Sequence, residues 1–323
     1  MTKFVVSGYI GFNNFGDEAI AKVLTTYLKT INPEKITVIS SNPKKTSEMF
    51  GVDSVGMLDF IQPIINSDVL ISGGGSLLQD ITSLKSLLYY LSIIMLALVF
   101  NKKVVIFAQG FTPFRTKIGK FLTGFVLKRC EKIYVRDNKS HFLLKDLGID
   151  SNIVSDPVFG IEVPSVIEKN GVGIQLRDFF SMNDKFLDKL SEEIVKNFGD
   201  KTIKLFSLQD NLDLEILVKF KQKLLDKGVK SEIYNNLTVE ETIEELSKLE
   251  YLVGMRFHSN LVAVKAGVKV LGINYDVKVL TLSQDIGFSV INIEQEDFSQ
   301  EFDKLKTLDV SKYKIPEFIF PEI

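Results

Sequence analysis

Residues 251–259 read Tyr-Leu-Val-Gly-Met-Arg-Phe-His-Ser. The first three are apolar, Gly254 interrupts the run, and Arg256 and His258 follow before a segment rich in alanine and valine. An apolar run that meets a glycine and a polar turn, and then gains helical periodicity, is typical of a strand that leads into a helix. The stretch therefore predicts a strand-turn-helix unit of an α/β fold.

Such a turn lies at the carboxyl end of its strand, where open α/β sheets bind ligands and the start of a helix offers N–H groups to an anion. Arg256 adds a bidentate donor, and His258 adds a proton donor usable near neutral pH. The next predicted strand, residues 268–274, is followed by Tyr275 and Lys278. Each side chain alone is explained as well by an ordinary polar strand end, but Arg256, His258 and Lys278 together favour a ligand site.

Strands and helices alternate through the chain of 323 residues, which favours parallel sheets. The regular spacing of apolar residues that marks strands and helices is lost between residues 160 and 171, around Pro164, which indicates a linker. We therefore predict an α/β protein with two doubly wound, Rossmann-like domains, residues 1–160 and 171–300. An apolar tail, residues 301–323, is predicted to dock on the body.

A loop rich in glycine and asparagine, residues 9–16, follows the first predicted strand. Its glycines let the backbone approach a ligand, and its amides and the nearby carboxylates can bind sugar hydroxyls. It has neither the lysine of a phosphate-binding P-loop nor the glycine spacing of a dinucleotide site. A tight turn with capping residues is the alternative. The candidate substrate-binding residues here are Asn13, Asn14, Gly16, Asp17 and Glu18.

Three glycines, residues 73–75, directly follow the predicted strand 68–72. Between a strand and a helix they form a backbone nest for an anion or let a substrate pass closely, although a tight turn is the commoner explanation. Other polar residues at or after predicted strands complete the set. We predict that Gly74, Gly75, Gln109, Arg177 and Tyr275 bind substrate, and that Arg136 is a further cation of the site.

The chain has 39 lysines and arginines against 41 aspartates and glutamates, a net charge of −2. No global basic field exists to hold nucleic acid or anionic lipid, so any anion site must be local. The single cysteine, Cys130, excludes an intrachain disulfide and favours a reduced, cytoplasmic setting, with the thiol itself inert. His141 lies on a predicted helix beside leucines and is interpreted as a structural or solvated histidine, not a catalytic one. No acid and histidine cluster has the spacing of a metal site, so no metal is predicted.

The strongest apolar segment, residues 87–100, is 14 residues long. A membrane-spanning helix needs ~20 apolar residues, so a buried helix is predicted. A helix that touches a membrane surface is the alternative. Nothing at the N-terminus resembles a signal peptide.

Four stretches resemble the polysaccharide pyruvyl transferase family in their order and spacing. They are residues 254–278 with the ending Asn-Tyr-Asp-Val-Lys, residues 8–20 (GYIGFNNFGDEAI), residues 72–80 (SGGGSLLQD) and residues 135–137 (Val-Arg-Asp). The resemblance implies a glycosyltransferase-B-like fold whose two domains face a cleft. It also implies transfer of an enolpyruvyl unit from phosphoenolpyruvate to a sugar, which gives a cyclic pyruvate ketal and phosphate without a cofactor.

The resemblance places Arg136, Arg256, His258 and Lys278 at the family's donor-site positions, and it departs from the family at Phe257, where an aliphatic residue is expected. Phosphoenolpyruvate carries a phosphate and a carboxylate, so its site needs several cations. Its terminal CH2 must also gain a proton. His258 is the candidate general acid because a histidine titrates near pH 6.5.

The implied acceptor is a glycan, often lipid-linked, which the enzyme meets in the cytoplasm or at the inner face of the membrane. We expect the donor to bind the C-terminal domain and the acceptor to bind against residues 9–18. Two other functions fit the same residues. One is a nucleotide-sugar glycosyltransferase of the same architecture, and the other is a non-catalytic glycan-binding protein.

Overall fold

The computed structural model describes residues 1–81, 83–179 and 182–323. The chain divides into two compact units, which are Met1–Ile161 with Glu317–Ile323 and Glu162–Pro316. The second unit thus extends past residue 300, the boundary expected from the sequence, and the last seven residues belong to the first unit.

The first unit is built on a parallel sheet of seven strands. Its strands are β1 (Lys3–Ser7), β2 (Lys35–Ser40), β3 (Asp53–Gly56), β4 (Val69–Gly73), β5 (Lys103–Gln109), β6 (Lys132–Val135) and β7 (Asn152–Ile153). Its helices are α1 (Phe15–Thr30), α2 (Pro43–Phe50), α3 (Ile61–Ile65), α4 (Leu84–Val99), α5 (Lys117–Leu127) and α6 (Asn138–Lys145). The strand order is β3-β2-β1-β4-β5-β6-β7.

The second unit is built on a parallel sheet of six strands. Its strands are β8 (Val172–Gln175), β9 (Ile203–Phe206), β10 (Ser231–Tyr234), β11 (Tyr251–Gly254), β12 (Lys269–Asn274) and β13 (Ser289–Asn292). Its helices are α7 (Asp184–Phe198), α8 (Asp210–Asp226), α9 (Val239–Ser247), α10 (Phe257–Lys265), α11 (Val277–Ile286) and α12 (Ser299–Thr307). The strand order is β10-β9-β8-β11-β12-β13.

The predicted class, two doubly wound α/β domains, is confirmed. The strands predicted at residues 68–72 and 268–274 agree within one residue with β4 and β12. They are apolar runs because a parallel strand inside such a sheet is covered on both faces. Strands β3 and β13 were not predicted. Each is an edge strand with mostly half-exposed residues, so neither shows an apolar run in the sequence.

Each sheet has one point at which the strand order reverses. In the first unit, the chain winds outward from β1 on one side and from β4 on the other, and in the second it does so from β8 and β11. The crevice at the carboxyl ends of such a strand pair is where open α/β sheets bind ligands. These two places therefore locate the candidate site of each unit.

Helix α4 covers most of the apolar segment that the sequence singles out. Leu87, Ile93, Ile94 and Ala97 on one side are fully buried, as predicted, whereas Val99 at its end is 66% exposed. Among the described residues, no helix combines the length and the apolar character needed to cross a bilayer.

The C-terminal segment packs on the first unit. The ring of Phe320 stacks on those of Tyr27 and Phe107, at centroid distances of 3.5 and 5.2 Å. Close to the chain end, the backbone carbonyl of Glu322 accepts a hydrogen bond from the hydroxyl of Tyr134. The segment thus docks through aromatic stacking, which accounts for its apolar sequence.

Candidate functional site

The carboxyl ends of β8, β11 and β12 are neighbours in the second sheet. They carry five of the residues singled out from the sequence, namely Arg177, Arg256, His258, Tyr275 and Lys278. Backbone contacts tie the strand ends together. The amide of Arg177 donates to Sδ of Met255, and the amide of Met255 donates to the carbonyl of Gln175. The structure therefore gathers these five residues at one edge of one sheet.

Arg256 forms a buried ion pair with Asp213. Its Nε lies 2.9 Å from Oδ2 and its Nη2 lies 2.5 Å from Oδ1 of that carboxylate. Asp213 is 0% exposed and Arg256 is 8% exposed. A bidentate pair of this kind fixes the plane of the guanidinium. Because the pair uses Nε and Nη2, Nη1 is the nitrogen that Arg256 has left to offer a ligand.

A buried polar network holds this pair in place. The Asp213 carboxylate also accepts the amides of Leu208 and Gln209, which follow β9. Oε1 of Gln175 accepts the amide of Arg256 at 2.6 Å, and its Nε2 donates to the carbonyl of Leu176. A buried charge is tolerated when its partner and its remaining hydrogen bonds are present, as they are here.

Sequence reasoning missed Asp213 and Gln175. Asp213 lies in the first turn of α8, a place where an acid is ordinarily an exposed partner of the helix dipole. Gln175 is the one polar side chain in the apolar run of β8. That interruption of a buried strand was the available signal.

His258 lies in the first turn of α10, one residue after Phe257. The N-cap of this helix is Arg256, whose side chain makes no capping hydrogen bond. The neighbouring helix α11 is instead capped by Asp276, whose carboxylate accepts the amide of Lys278. The positive end of α10 therefore has no acidic cap, and it adds to the positive potential at this edge.

Arg177 follows β8 and lies beside the ring of Tyr275, with 5.7 Å between its guanidinium carbon and the ring centroid. The ring of Tyr275 also makes an edge-to-face contact with that of Phe179. Nε of Arg177 is buried and has no hydrogen-bond partner among residues 1–81, 83–179 and 182–323. A buried donor without a partner is costly, and it is one mark of a ligand site.

The loop after β1 in the first unit is tightly built. Gly11 has a φ of +85°, and a Cβ there would collide with Oγ of Ser40 and lie 2.6 Å from the amide of Asn42. The amide of Gly11 donates to Oε1 of Glu18 at 2.7 Å, and Nζ of Lys45 donates to Oδ1 of Asn13. These contacts fix the loop against the start of α1.

Glu18 is 4% exposed, and none of the described residues bonds its buried Oε2. Burial is the main cause that raises the pKa of this carboxyl to about 7; the nearby charge of Asp17 acts in the same direction, and the Gly11 amide and Lys45 oppose it. A carboxyl with such a pKa gains and loses its proton near neutrality.

The glycines after β4 pass close to the start of α1. Gly74 and Gly75 have φ values of +78° and +63°, and a Cβ on Gly75 would lie 2.6 Å from Oδ1 of Asp17. An adjacent carboxylate disfavours an anion, so this place suits a neutral hydroxyl better.

Asn14 is the N-cap of α1, where its side chain accepts the amide of Gly16. Gln109 is fully buried, and its Nε2 donates to the backbone and side-chain oxygens of Ser72.

Arg136 belongs to the first unit, whereas Arg256, His258 and Lys278 belong to the second. It follows β6. Its Nη1 donates to Oδ2 of Asp156 and its Nη2 donates to Oγ of Ser76, both at 3.3 Å. Gly110 makes room for it, because a Cβ there would lie 2.7 Å from Nε of Arg136. Its participation in one donor site with the other three stays a prediction.

Cys130 and His141 were not expected to take part in catalysis, and the structure shows what surrounds each of them. Burial raises the pKa of Cys130 to about 12, so its thiol is inert at neutral pH. Nδ1 of His141 lies 3.0 Å from Oγ of Ser151. Within the described ranges, no group of three or more His, Cys, Asp and Glu side chains has the arrangement of a metal site. That the reaction needs no metal stays a prediction.

Comparison with known proteins adds a family and a fold. The model of a family described as polysaccharide pyruvyl transferase matches residues 14–277. The matched segment contains Arg136, Arg256 and His258, begins one residue after Asn13 and stops one residue before Lys278. Comparison with curated proteins gives no match.

Several solved structures have a similar fold. UDP-GlcNAc 2-epimerase from Methanocaldococcus jannaschii gives a TM-score of 0.65 at 13% identity, over 97% of this chain and 94% of that one. The Neisseria meningitidis enzyme bound to UDP-GlcNAc gives 0.65 at 11% identity, over 97% and 93%. Anabaena HepE in complex with UDP and glucose gives 0.62 at 10% identity, over 98% and 92%. At these identities the likeness establishes a glycosyltransferase-B-like fold alone.

Proposed function

Because this chain belongs to the polysaccharide pyruvyl transferase family, we propose that it transfers pyruvate from phosphoenolpyruvate to a sugar and forms a pyruvate ketal. The observation that carries the proposal is the carboxyl edge of the second sheet. There, Arg177 and Arg256 lie at the ends of adjacent strands, and the helix between β11 and β12 starts without an acidic cap. Phosphoenolpyruvate is a small polyanion that needs such a concentration of donors.

The two arginines offer different groups to the donor. Arg256 is oriented by Asp213 and presents Nη1, while Arg177 presents a buried Nε without a described partner. Phosphate and carboxylate oxygens accept hydrogen bonds from both types of nitrogen, and the amides at the start of α10 suit a phosphate. Lys278, from the next strand end, supplies a compact charge for the leaving phosphate.

His258 carries the proton in this proposal. Protonation of the terminal CH2 of phosphoenolpyruvate gives a methyl group and an oxocarbenium-like carbon, which one sugar hydroxyl attacks. Phosphate then leaves, and the second hydroxyl closes the ketal. The hydroxyls release two protons, of which one replaces the proton given to carbon and the other leaves with phosphate. The histidine is thus both the acid and the acceptor that resets the cycle.

The acceptor binds at the first unit in this proposal. The loop of residues 9–16 presents the amides of Asn13 and Asn14, and Asp17 lies beside Gly75. Amides and carboxylates are suited to sugar hydroxyls. The acceptor is a glycan of a cell-wall or extracellular polymer, carried on a lipid, and the reaction takes place in the cytoplasm or at the inner face of the membrane.

A release assay tests the proposal against the nucleotide-sugar alternative. The full chain is incubated with acceptor glycans and either phosphoenolpyruvate or UDP-GlcNAc, and both phosphate and UDP are measured. We expect phosphate from phosphoenolpyruvate only, with the same rate after treatment with a chelator. UDP release without phosphate release would establish a glycosyltransferase instead. Binding of neither donor, measured by calorimetry, would favour the glycan-binding protein.

A further inference from the structure

The charges of the first unit are distributed unevenly along the chain. Residues 81–130 contain eight lysines and arginines and no aspartate or glutamate, in a chain whose net charge is −2. This acid-free segment comprises α4, β5, α5 and their loops. All of its basic residues except Lys102 are exposed. A basic, acid-free segment of this length gives one part of the surface a local positive field.

Helix α5 combines these cations with exposed apolar side chains. Ile118, Phe121 and Phe125 recur at a spacing of three and four residues, so they form one stripe along the helix. Their exposures are 55%, 68% and 41%. Lys117 and Lys120 flank the stripe on its first turns, and Lys128 and Arg129 follow its end. The opposite side of the helix, with Thr123, Val126 and Leu127, is buried.

The phenylalanine rings of this stripe contact each other and an arginine. Phe121 and Phe125 stack with 6.4 Å between their centroids, and the guanidinium of Arg129 lies over the ring of Phe125 at 3.7 Å. Arg129 also donates to the carbonyl of Phe125. An arginine stacked on an exposed phenylalanine keeps its charge at the polar boundary above an apolar surface.

Helix α4 lies on the same face of the sheet as α5. Strands β4, β5 and β6 are parallel and adjacent in this order, so the two right-handed crossovers place both helices on one side. The two helices pack against each other. The outer side of α4 adds the exposed apolar residues Leu88 and Val99. Two neighbouring helices thus present apolar side chains and cations outward.

We propose that the outer sides of α4 and α5, here termed the α4–α5 face and defined by Leu88, Val99, Ile118, Phe121, Phe125 and the cations of α5, dock on an anionic phospholipid bilayer. The apolar stripe enters the boundary between headgroups and acyl chains, and the lysines bind the phosphates. Apolar anchors flanked by lysine and arginine are the composition that interfacial helices use. A protein or nucleic acid partner that offered only acidic groups would bind the cations but would leave the phenylalanine rings without apolar contacts.

The test uses the intact chain and sedimentation with vesicles of phosphatidylcholine, with or without phosphatidylglycerol. We expect binding to the anionic vesicles, weak binding to phosphatidylcholine alone, and release as salt is raised. F121S/F125S keeps every charge and should lose binding. K117Q/K120Q should weaken it roughly tenfold or more, since each basic residue near an anionic surface contributes about fivefold.

Matched controls lie on the other face of the same sheet. Ile31 at the end of α1 is exposed, and Lys44 is exposed on α2. The crossovers of α1 and α2 run in the opposite direction from those of α4 and α5, so I31S and K44Q should bind as the wild type does. Thermal unfolding checks each variant. If F121S/F125S does not fold, K117Q/K120Q with its salt dependence carries the test.

Three results would overturn the proposal. They are wild-type protein that ignores anionic vesicles, F121S/F125S that binds them fully, and a wild-type dimer that F121S/F125S converts to a monomer without any vesicle binding in either form. The last would make the face an interface between two copies. Since His258→Gln leaves this face intact, its vesicle binding separates failure of the docking proposal from failure of the proposed chemistry.

Discussion

Asp213 holds Arg256 through two of the three guanidinium nitrogens, across 43 positions of the chain. The arginine that stands out in the sequence as an anion ligand is therefore also half of a buried ion pair. The Asp213 carboxylate also accepts hydrogen bonds from the amides of Leu208 and Gln209. The pair therefore ties α8, the end of β9 and the end of β11 together. Substitutions on either side will affect folding and donor binding together.

Asp213→Asn should destabilise the protein by about 3–5 kcal/mol, because it leaves a buried guanidinium without its counter-charge. Urea unfolding measures this as a lower midpoint with an unchanged slope. Glu215→Gln on the same helix is the control, since Glu215 pairs with Lys219 at the surface and should unfold at the wild-type midpoint. Equal midpoints for both variants would mean that the buried pair contributes nothing to stability.

Arg177→Ala should behave differently from a change at Asp213. Nε of Arg177 is buried without a partner among the described residues, so its removal breaks no internal hydrogen bond. Loss of this half-buried cation from the proposed donor site should weaken phosphoenolpyruvate binding by roughly 2–5 kcal/mol. Calorimetric titration measures the affinity, and urea unfolding measures the stability. Intact binding with lost stability would make Arg177 a structural residue that packs on Tyr275.

His258→Gln should leave donor affinity nearly unchanged and lower turnover by about 10²–10⁴-fold, since glutamine keeps a hydrogen-bond donor but cannot protonate carbon. Arg136→Ala is the comparison, and there we expect lost affinity. Steady-state rates and calorimetry on both variants separate the two effects. Should His258→Gln sharply weaken donor binding while the fraction that still binds turns over normally, His258 is a phosphate ligand and Lys278 becomes the candidate acid.

Glu18 should make stability fall as pH rises. Its pKa is 4.5 as an ordinary glutamate and about 7 in the folded protein, so between these values the folded state binds more protons than the unfolded state. The cost of the buried carboxylate is absent below pH 4.5 and complete above pH 7, where the difference between the two pKa values corresponds to roughly 3 kcal/mol. Glu18→Gln should remove this decline.

Unfolding midpoints at several pH values provide the measurement for Glu18. Glu48→Gln, an exposed glutamate on α2 in the same unit, should keep the wild-type pH profile. A Glu18→Gln profile that still declines between pH 4.5 and 7 would show that another group titrates there.

Gly11→Ala should cost more than Gly228→Ala, although both glycines have a positive φ, +85° and +81°. A left-handed non-glycine residue costs roughly 1–2 kcal/mol, which is all we expect at Gly228, where a Cβ meets open space. At Gly11 the Cβ also collides with Oγ of Ser40, which is held by hydrogen bonds to Thr46 and Asn42. Similar unfolding midpoints for the two variants would contradict a tightly built loop.

The sequence by itself determined the two α/β domains, most of the buried strands and the polar residues at their carboxyl ends. These are local properties. A strand covered on both faces must be an apolar run, and a ligand site at its end must interrupt that run with glycine and polar residues. For the same reason, the short edge strands β3 and β13 left no pattern to read.

Only the tertiary structure decided which polar groups meet. Asp213 and Arg256 are far apart in the chain, and an acid in the first turn of α8 looks like any exposed helix residue until folding brings Arg256, which follows β11, within hydrogen-bond distance of it. Glu18 has an ordinary sequence context, and its raised pKa comes from burial under a folded loop. Likewise, the helical spacing of Ile118, Phe121 and Phe125 is compatible with a core-facing stripe, and packing alone turned it outward. Burial and long-range contacts set these energies, and neither is a property of local sequence.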